Sequence, residues 1–213
     1  MPVIDFSLYL ITDRTQTNGH PLGTVVREAM EGGVRAVQMR EKDLSDRELF
    51  RLAMELRGIT HEYGARLIIN GRPDIALASE ADGVHIGAAS LPVAVARAIL
   101  GPERLIGYSA HAVAEAHRAE ADGADFVTFG PVYHTPSKAA YGAPVGLKRL
   151  AEAASSLTIP VFALGGVKKT SIAELLTSGA RGIALISAII AADDPRSAAA
   201  TLLKTLEQHV IHP

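Results

Sequence analysis

Eight short apolar runs, each followed by a segment of helical periodicity, recur along the 213-residue chain. They cover residues 8–12, 36–40, 66–70, 83–87, 105–109, 126–130, 160–164 and 182–187. Each is nearly all apolar and ends in polar residues or glycine, the pattern of strands buried on both faces of a parallel sheet. Between them, residues 45–63, 92–100, 112–122, 145–155 and 170–178 carry apolar positions three or four apart. Ser45 and Glu48 form a capping-box pattern, and Pro195 suits the first turn of a last helix. Gly32-Gly33, Asp82-Gly83, Asp122-Gly123 and Ser178-Gly179 recur as helix-to-strand turns, where glycine ends a helix. Eight strand–helix cycles with no linker predict an α/β fold, a (β/α)8 TIM barrel occupying residues 1–213 as one domain. A doubly wound sheet is the rival, but no G-x-G-x-x-G follows the first strand.

Composition narrows the function classes. Hydrophobic residues make up 48% of the chain, enough for a sizeable core, and the net charge of −2 gives no field toward nucleic acid or anionic membranes. There is no cysteine, hence no disulfide, thiolate metal site or cysteine nucleophile. No leader-like segment opens the chain and no apolar run is long enough to span a bilayer, so a cytoplasmic protein is expected, with no nucleic-acid or membrane partner. Outer helices of such barrels often mediate dimers. A homodimer is therefore admitted, with no face singled out.

Barrel active sites lie at the C-terminal strand ends. The second strand ends in Gln38, Met39 and Arg40, followed by Glu41 and Lys42. Alternation puts Gln38 and Arg40 on one side. The alternative is a surface ion pair of Glu41 with Arg40 or Lys42. The third strand ends in Asn70, the fifth in Ser109 with His111 beyond. The sixth runs into a loop with His134, Thr135, Ser137 and Lys138, able to close over a phosphate or pyrophosphate. The seventh ends in Gly165-Gly166 and the eighth in Ile186-Ser187. Loops at these two places commonly bind phosphate through backbone N–H groups. The set indicates an anionic ligand, with His111 and His134 as acid/base candidates. His85, inside the fourth strand, reads as a core histidine with satisfied hydrogen bonds.

These motifs resemble the thiamine phosphate synthase/TenI family over nearly the whole chain. The matching stretches are Val37-Gln38-Met39-Arg40-Glu41-Lys42, Asp82-Gly83-Val84-His85-Ile86-Gly87, Gly107-Tyr108-Ser109-Ala110-His111, Gly130-Pro131-Val132-Tyr133, Thr135-Pro136-Ser137-Lys138 and Ala163-Leu164-Gly165-Gly166-Val167. In the synthase branch a hydroxymethylpyrimidine pyrophosphate loses pyrophosphate and joins a thiazole phosphate. The resemblance implies that Gln38, Arg40, Lys42, Asn70, Ser109 and Lys138 surround the pyrimidine pyrophosphate. Thr135 and Ser137 would face the thiazole, and Gly166 with Ser187 would hold its phosphate.

Two departures set the ordering of activities. Synthases carry aspartates for magnesium where this chain has Gly71 and Ser90, which leaves Arg40, Lys42, Arg72 and Lys138 to balance a departing pyrophosphate. Asn70-Gly71-Arg72 resembles TenI, the thiazole tautomerase branch, which needs no metal. Against that, TenI uses a histidine where Pro131 stands, leaving His134 as the substitute. The expectation is therefore a thiamine-biosynthesis enzyme binding small phosphorylated substrates. TenI-like tautomerase stands first, with His134, Lys138, Arg40 and Ser109 catalytic. Synthase is the close alternative, and a non-catalytic phosphate-ligand sensor is a third. No resident metal is expected, and Mg2+ only under the synthase alternative.

Overall fold

The computed structural model describes residues 3–135 and 143–209. Eight parallel strands form a closed barrel in sequential order, β1 (Leu8–Ile11), β2 (Ala36–Met39), β3 (Arg66–Asn70), β4 (Gly83–Ile86), β5 (Leu105–Ala110), β6 (Phe126–Phe129), β7 (Val161–Leu164) and β8 (Gly182–Leu185). β8 closes onto β1 with Leu8 opposite Ile183. Around it lie α1 (Leu22–Glu31), α2 (Asp46–Glu62), α3 (Pro73–Ala78), α4 (Val93–Leu100), α5 (Val113–Ala121), α6 (Gly146–Ser156), α7 (Ile172–Thr177), the single-turn α8 (Ser187–Ile190) and α9 (Pro195–His209). The expected strands and helices are all present, with bounds shifted by one or two residues.

The local signals act as their chemistry requires. Glu48 accepts from the Ser45 backbone N–H at 2.9 Å and its hydroxyl at 2.6 Å, starting α2. Gly33, Gly123 and Gly179 take positive φ after their helices. Gly83 does not. It gives close approach instead, since an added Cβ would lie 2.1 Å from the Leu105 carbonyl oxygen. At the N-terminal end of the barrel, Asp82 accepts from Leu67 N–H at 2.8 Å and pairs with Arg57. Asp125 likewise accepts from Ile106 N–H at 2.7 Å and pairs with Arg97. Each carboxylate thus pins its own strand to the preceding one.

Two apolar layers result. The larger lies between barrel and helices; the smaller fills the barrel interior with Phe6, Tyr9, Ile11, Ala36, Ile68, Leu105, Phe126, Phe162 and Ala184. Phe6, Phe126 and Phe162 pack with ring centroids 5.2–5.8 Å apart and plug the N-terminal end. Polar interior residues are confined to the layers above: Gln38, His85, Thr128 and Ser109. The described residues contain no helix long and apolar enough to cross a membrane.

Candidate active site

A cavity of about 460 Å3 opens where the strands end. It is lined by Gln38, Arg40, Lys42, Asn70, Ser109, His111, Thr135, Gly165, Gly166, Ile186 and Ser187, with Ile11, Asp13, Gln16 and Pro131 among their neighbours. Every described residue assigned from the sequence to substrate binding is therefore brought together. Ser137 and Lys138 lie outside the described residues. A second cavity, of about 400 Å3, sits at the opposite end near Pro160, Arg181 and His209 and joins none of these groups.

The cationic side comes from β2. Gln38 is buried on the interior face, and Arg40 and Lys42 follow it to the mouth. Glu41 turns away from both. It is buried, accepts from Thr12 Oγ1 at 2.6 Å and from Arg14 N–H at 3.1 Å, and so anchors the β1 and β2 ends to each other. Among the described residues neither Arg40 nor Lys42 forms an ion pair. The Arg40 charge, with partial burial second, holds the Lys42 ammonium below its usual range. Two cations repelling each other in a cavity make a place for an anion.

Arg72 does not join them. Its guanidinium pairs with Asp46 at 2.6 Å and with Asp74 at 2.6 Å, and it is not among the residues lining the cavity where the sequence reading placed it. His134 is exposed and does not line the cavity. His111 does line it, with Nδ1 2.5 Å from the Gly130 carbonyl, which fixes that nitrogen as the donor.

The opposite wall is backbone. The loops after β6 and β7 run together: Val132 N–H donates to Leu164 O at 2.8 Å and Tyr133 N–H to Gly165 O at 3.1 Å. Gly165 and Gly166 have φ of +93° and +67°. A Cβ on Gly166 would lie 2.7 Å from Tyr133 Cβ and 2.8 Å from His134 O, so only glycine fits there. Ser187 and Ala188 open α8, and their N–H groups have no helical acceptor by construction.

Below the mouth is a buried polar chain that sequence reading missed as a unit. Gln38 Nε2 lies 3.1 Å from Tyr9 Oη, which is 3.4 Å from His85 Nδ1. His85 Nε2 is 2.9 Å from Ser109 Oγ and 3.3 Å from Thr128 Oγ1. Burial, with the Arg40 charge as a second cause, pushes the His85 imidazole down to about 3, so it is neutral. The reading of His85 as a core histidine with satisfied hydrogen bonds holds. The missing signal was that its partners are cavity residues.

The donors near these strand ends decide whether a metal fits. The places where the resemblance implies aspartates are neighbours, since a Cβ on Gly71 would lie 3.7 Å from Ser90 Oγ. Neither carries a carboxylate. Asp74 is held by Arg72, and both Asp13 oxygens accept from Thr15 or Gln16. No group of three or more metal-ligating side chains occurs among the described residues. The residues present do not make a magnesium site of the family's kind.

Residues 8–189 match the family described as thiamine monophosphate synthase. The chain is 59% identical over 206 residues to the "Putative thiamine-phosphate synthase" of Geobacter sulfurreducens, covering 97% of each. It is 45% identical to the thiamine-phosphate synthase of Clostridium novyi, over 93% of this chain and 98% of that one. Its barrel superposes on the thiamine phosphate pyrophosphorylase of Pyrococcus furiosus with a TM-score of 0.88 at 40% identity, covering 96% and 97% of the two chains. A match of this length and identity, on the fold and strand-end residues described above, means that the chain belongs to the thiamine monophosphate synthase/TenI family of thiamine-biosynthesis enzymes.

Proposed function

We propose that this protein is a thiamine phosphate synthase, joining hydroxymethylpyrimidine pyrophosphate to thiazole phosphate with release of pyrophosphate. The observation that carries this reading is the position of the candidate groups. Arg40 and Lys42, which form no ion pair among the described residues, line the cavity, whereas His134, which a tautomerase would need as its proton carrier, is exposed outside it. Pro131, in the synthase manner, lines the wall where TenI would place its histidine. Relatives named as synthases add support. The two activities are thereby reordered from the sequence expectation, and nothing supports the sensor.

The chemistry follows from charge. Breaking the carbon–oxygen bond transfers an electron pair to pyrophosphate while the thiazole nitrogen bonds to the carbon. Arg40 and Lys42 face the growing negative charge in a partly desolvated cavity, where fixed charges act most strongly. Lys138 is assigned to the same task from the sequence. Ser109 and Asn70 donate to the pyrophosphate and Gln38 orients the pyrimidine. The N–H groups around Gly166 and Ser187 hold the thiazole phosphate, placing its nitrogen in line with the leaving group. Thr135 faces the thiazole, and Ser137 is assigned there from the sequence.

Assaying purified protein with both substrate sets, with and without magnesium, tests this. Thiamine phosphate should form, isomerisation of thiazole carboxylate phosphate should be absent, and His134→Ala should retain most synthase turnover. Isomerisation abolished by His134→Ala, with no thiamine phosphate formed, would restore the tautomerase.

A further inference from the structure

His85 does not line the cavity, yet it bonds to two groups that reach it, Ser109 directly and Gln38 through Tyr9. A neutral imidazole has one donor nitrogen and one acceptor nitrogen. The chain therefore has two self-consistent arrangements of protons, each the reverse of the other. In the first, the Gln38 amide N–H donates to Tyr9 Oη, the Tyr9 hydroxyl donates to His85 Nδ1, and Nε2–H donates to Ser109 Oγ. That frees the Ser109 proton from His85, so that it can serve the cavity, with Thr128 Oγ1 at 3.5 Å as its only other described acceptor, and it turns the Gln38 amide oxygen toward the cavity. In the second, Ser109 donates to Nε2, Nδ1–H donates to Tyr9, and Tyr9 donates to the Gln38 amide oxygen. The cavity floor then offers Ser109 lone pairs and Gln38 N–H groups.

Each arrangement offers the cavity one donor, Ser109 in the first and Gln38 in the second, beside Arg40 and Lys42, which form no ion pair among the described residues and draw an anion to this wall. The Gln38 amide chooses between them. Its Nε2 lies 3.1 Å from Tyr9 Oη and donates there, and among the described residues the buried Tyr9 hydroxyl then has only His85 Nδ1 to receive its proton. Gly107 keeps the imidazole in place: an added Cβ there would lie 2.4 Å from both His85 Nδ1 and Phe126 Cζ.

We propose that His85 is a positioning residue for this site: held by Tyr9 as the Nε2–H tautomer, it makes Ser109 a hydrogen-bond donor to the anionic part of the ligand and leaves Gln38 presenting its amide oxygen. The ligand that fits carries an acceptor oxygen at Ser109 and an N–H donor at Gln38. The assignment of ligand parts rests on the synthase reading; the proton arrangement does not.

Long-range 1H–15N NMR of histidine-labelled protein reads the tautomer directly, with the His85 signals assigned by their loss in His85→Gln. A protonated Nε2 and bare Nδ1 are expected, and the opposite pattern overturns the proposal. A second measurement separates positioning from mere support. Ser109→Ala should weaken inorganic pyrophosphate binding roughly tenfold or more, the effect of losing one hydrogen bond to a charged group. Tyr9→Phe should weaken it as well, and the double variant should bind no worse than Ser109→Ala alone. Additive losses would mean that Tyr9 and His85 act only on stability, overturning the relay. Failure of the unmodified protein to bind pyrophosphate would instead sink the synthase reading, and the tautomer would still decide the relay.

Discussion

Gly71 and Ser90 bear most directly on how this site differs from its family. They stand side by side at the ends of β3 and β4, and Ser90 Oγ accepts from Gly87 N–H at 3.2 Å. Aspartate tolerates the left-handed region better than most residues, so the +69° φ of Gly71 permits Gly71→Asp at modest cost. Gly71→Asp with Ser90→Asp should lower the magnesium concentration for half-maximal synthase turnover by at least about tenfold, or about 1.4 kcal/mol of metal binding. A magnesium titration of both proteins checks it, and an unchanged midpoint would show that these positions do not address the metal. Residues of this kind were legible in the sequence because strand ends of a barrel must face its mouth. The pairing of Arg72 was not legible, because its partners, Asp46 on α2 and Asp74 on α3, are set by helix placement. The exposure of His134 was not legible, because closeness in sequence to a loop motif does not say which way a side chain points. Tyr9 and His85 emerge as a pair only once β1 and β4 are wrapped to opposite sides of one small interior.

The elements were the most legible level. Apolar runs ending in polar residues can be satisfied only by strands covered on both faces, and the capping box and turn glycines fixed the helix ends within a residue or two. What the periodicity did not contain was the joining of the loops after β6 and β7. That contact depends on two glycines with positive φ meeting a loop 32–34 residues earlier in the chain, and it forms the wall assigned to the thiazole phosphate. Tyr133 Oη donates to Glu174 at 2.5 Å and ties the same loop to α7. Gly166→Ala tests the wall. The left-handed backbone alone costs about 1–2 kcal/mol for alanine, and the new Cβ must displace Tyr133 and the His134 carbonyl. Chemical denaturation should show that loss, and calorimetry should show weaker binding of thiazole phosphate. Intact phosphate affinity in a destabilised variant would remove Gly166 from the binding site.

At the scale of the molecule, closure of the barrel is what brings eight separate strand ends to one cavity, and the aromatic interior is what supports it. Phe126 is fully buried between Phe6, Tyr9, Phe162 and His85. Phe126→Ala should destabilise the fold by about 3–5 kcal/mol, measured by urea unfolding. It should also loosen the imidazole that rests on that ring. A loss below about 1 kcal/mol would mean that the interior collapses around the gap. The aromatic plug has a kinetic meaning too. On the synthase reading, a vessel stoppered at its base takes in both substrates, and lets out both products, past the same rim. A ligand resting on the floor at Gln38 and Ser109 would then bind before one leaning on the glycine wall, and the product that keeps the floor would leave last.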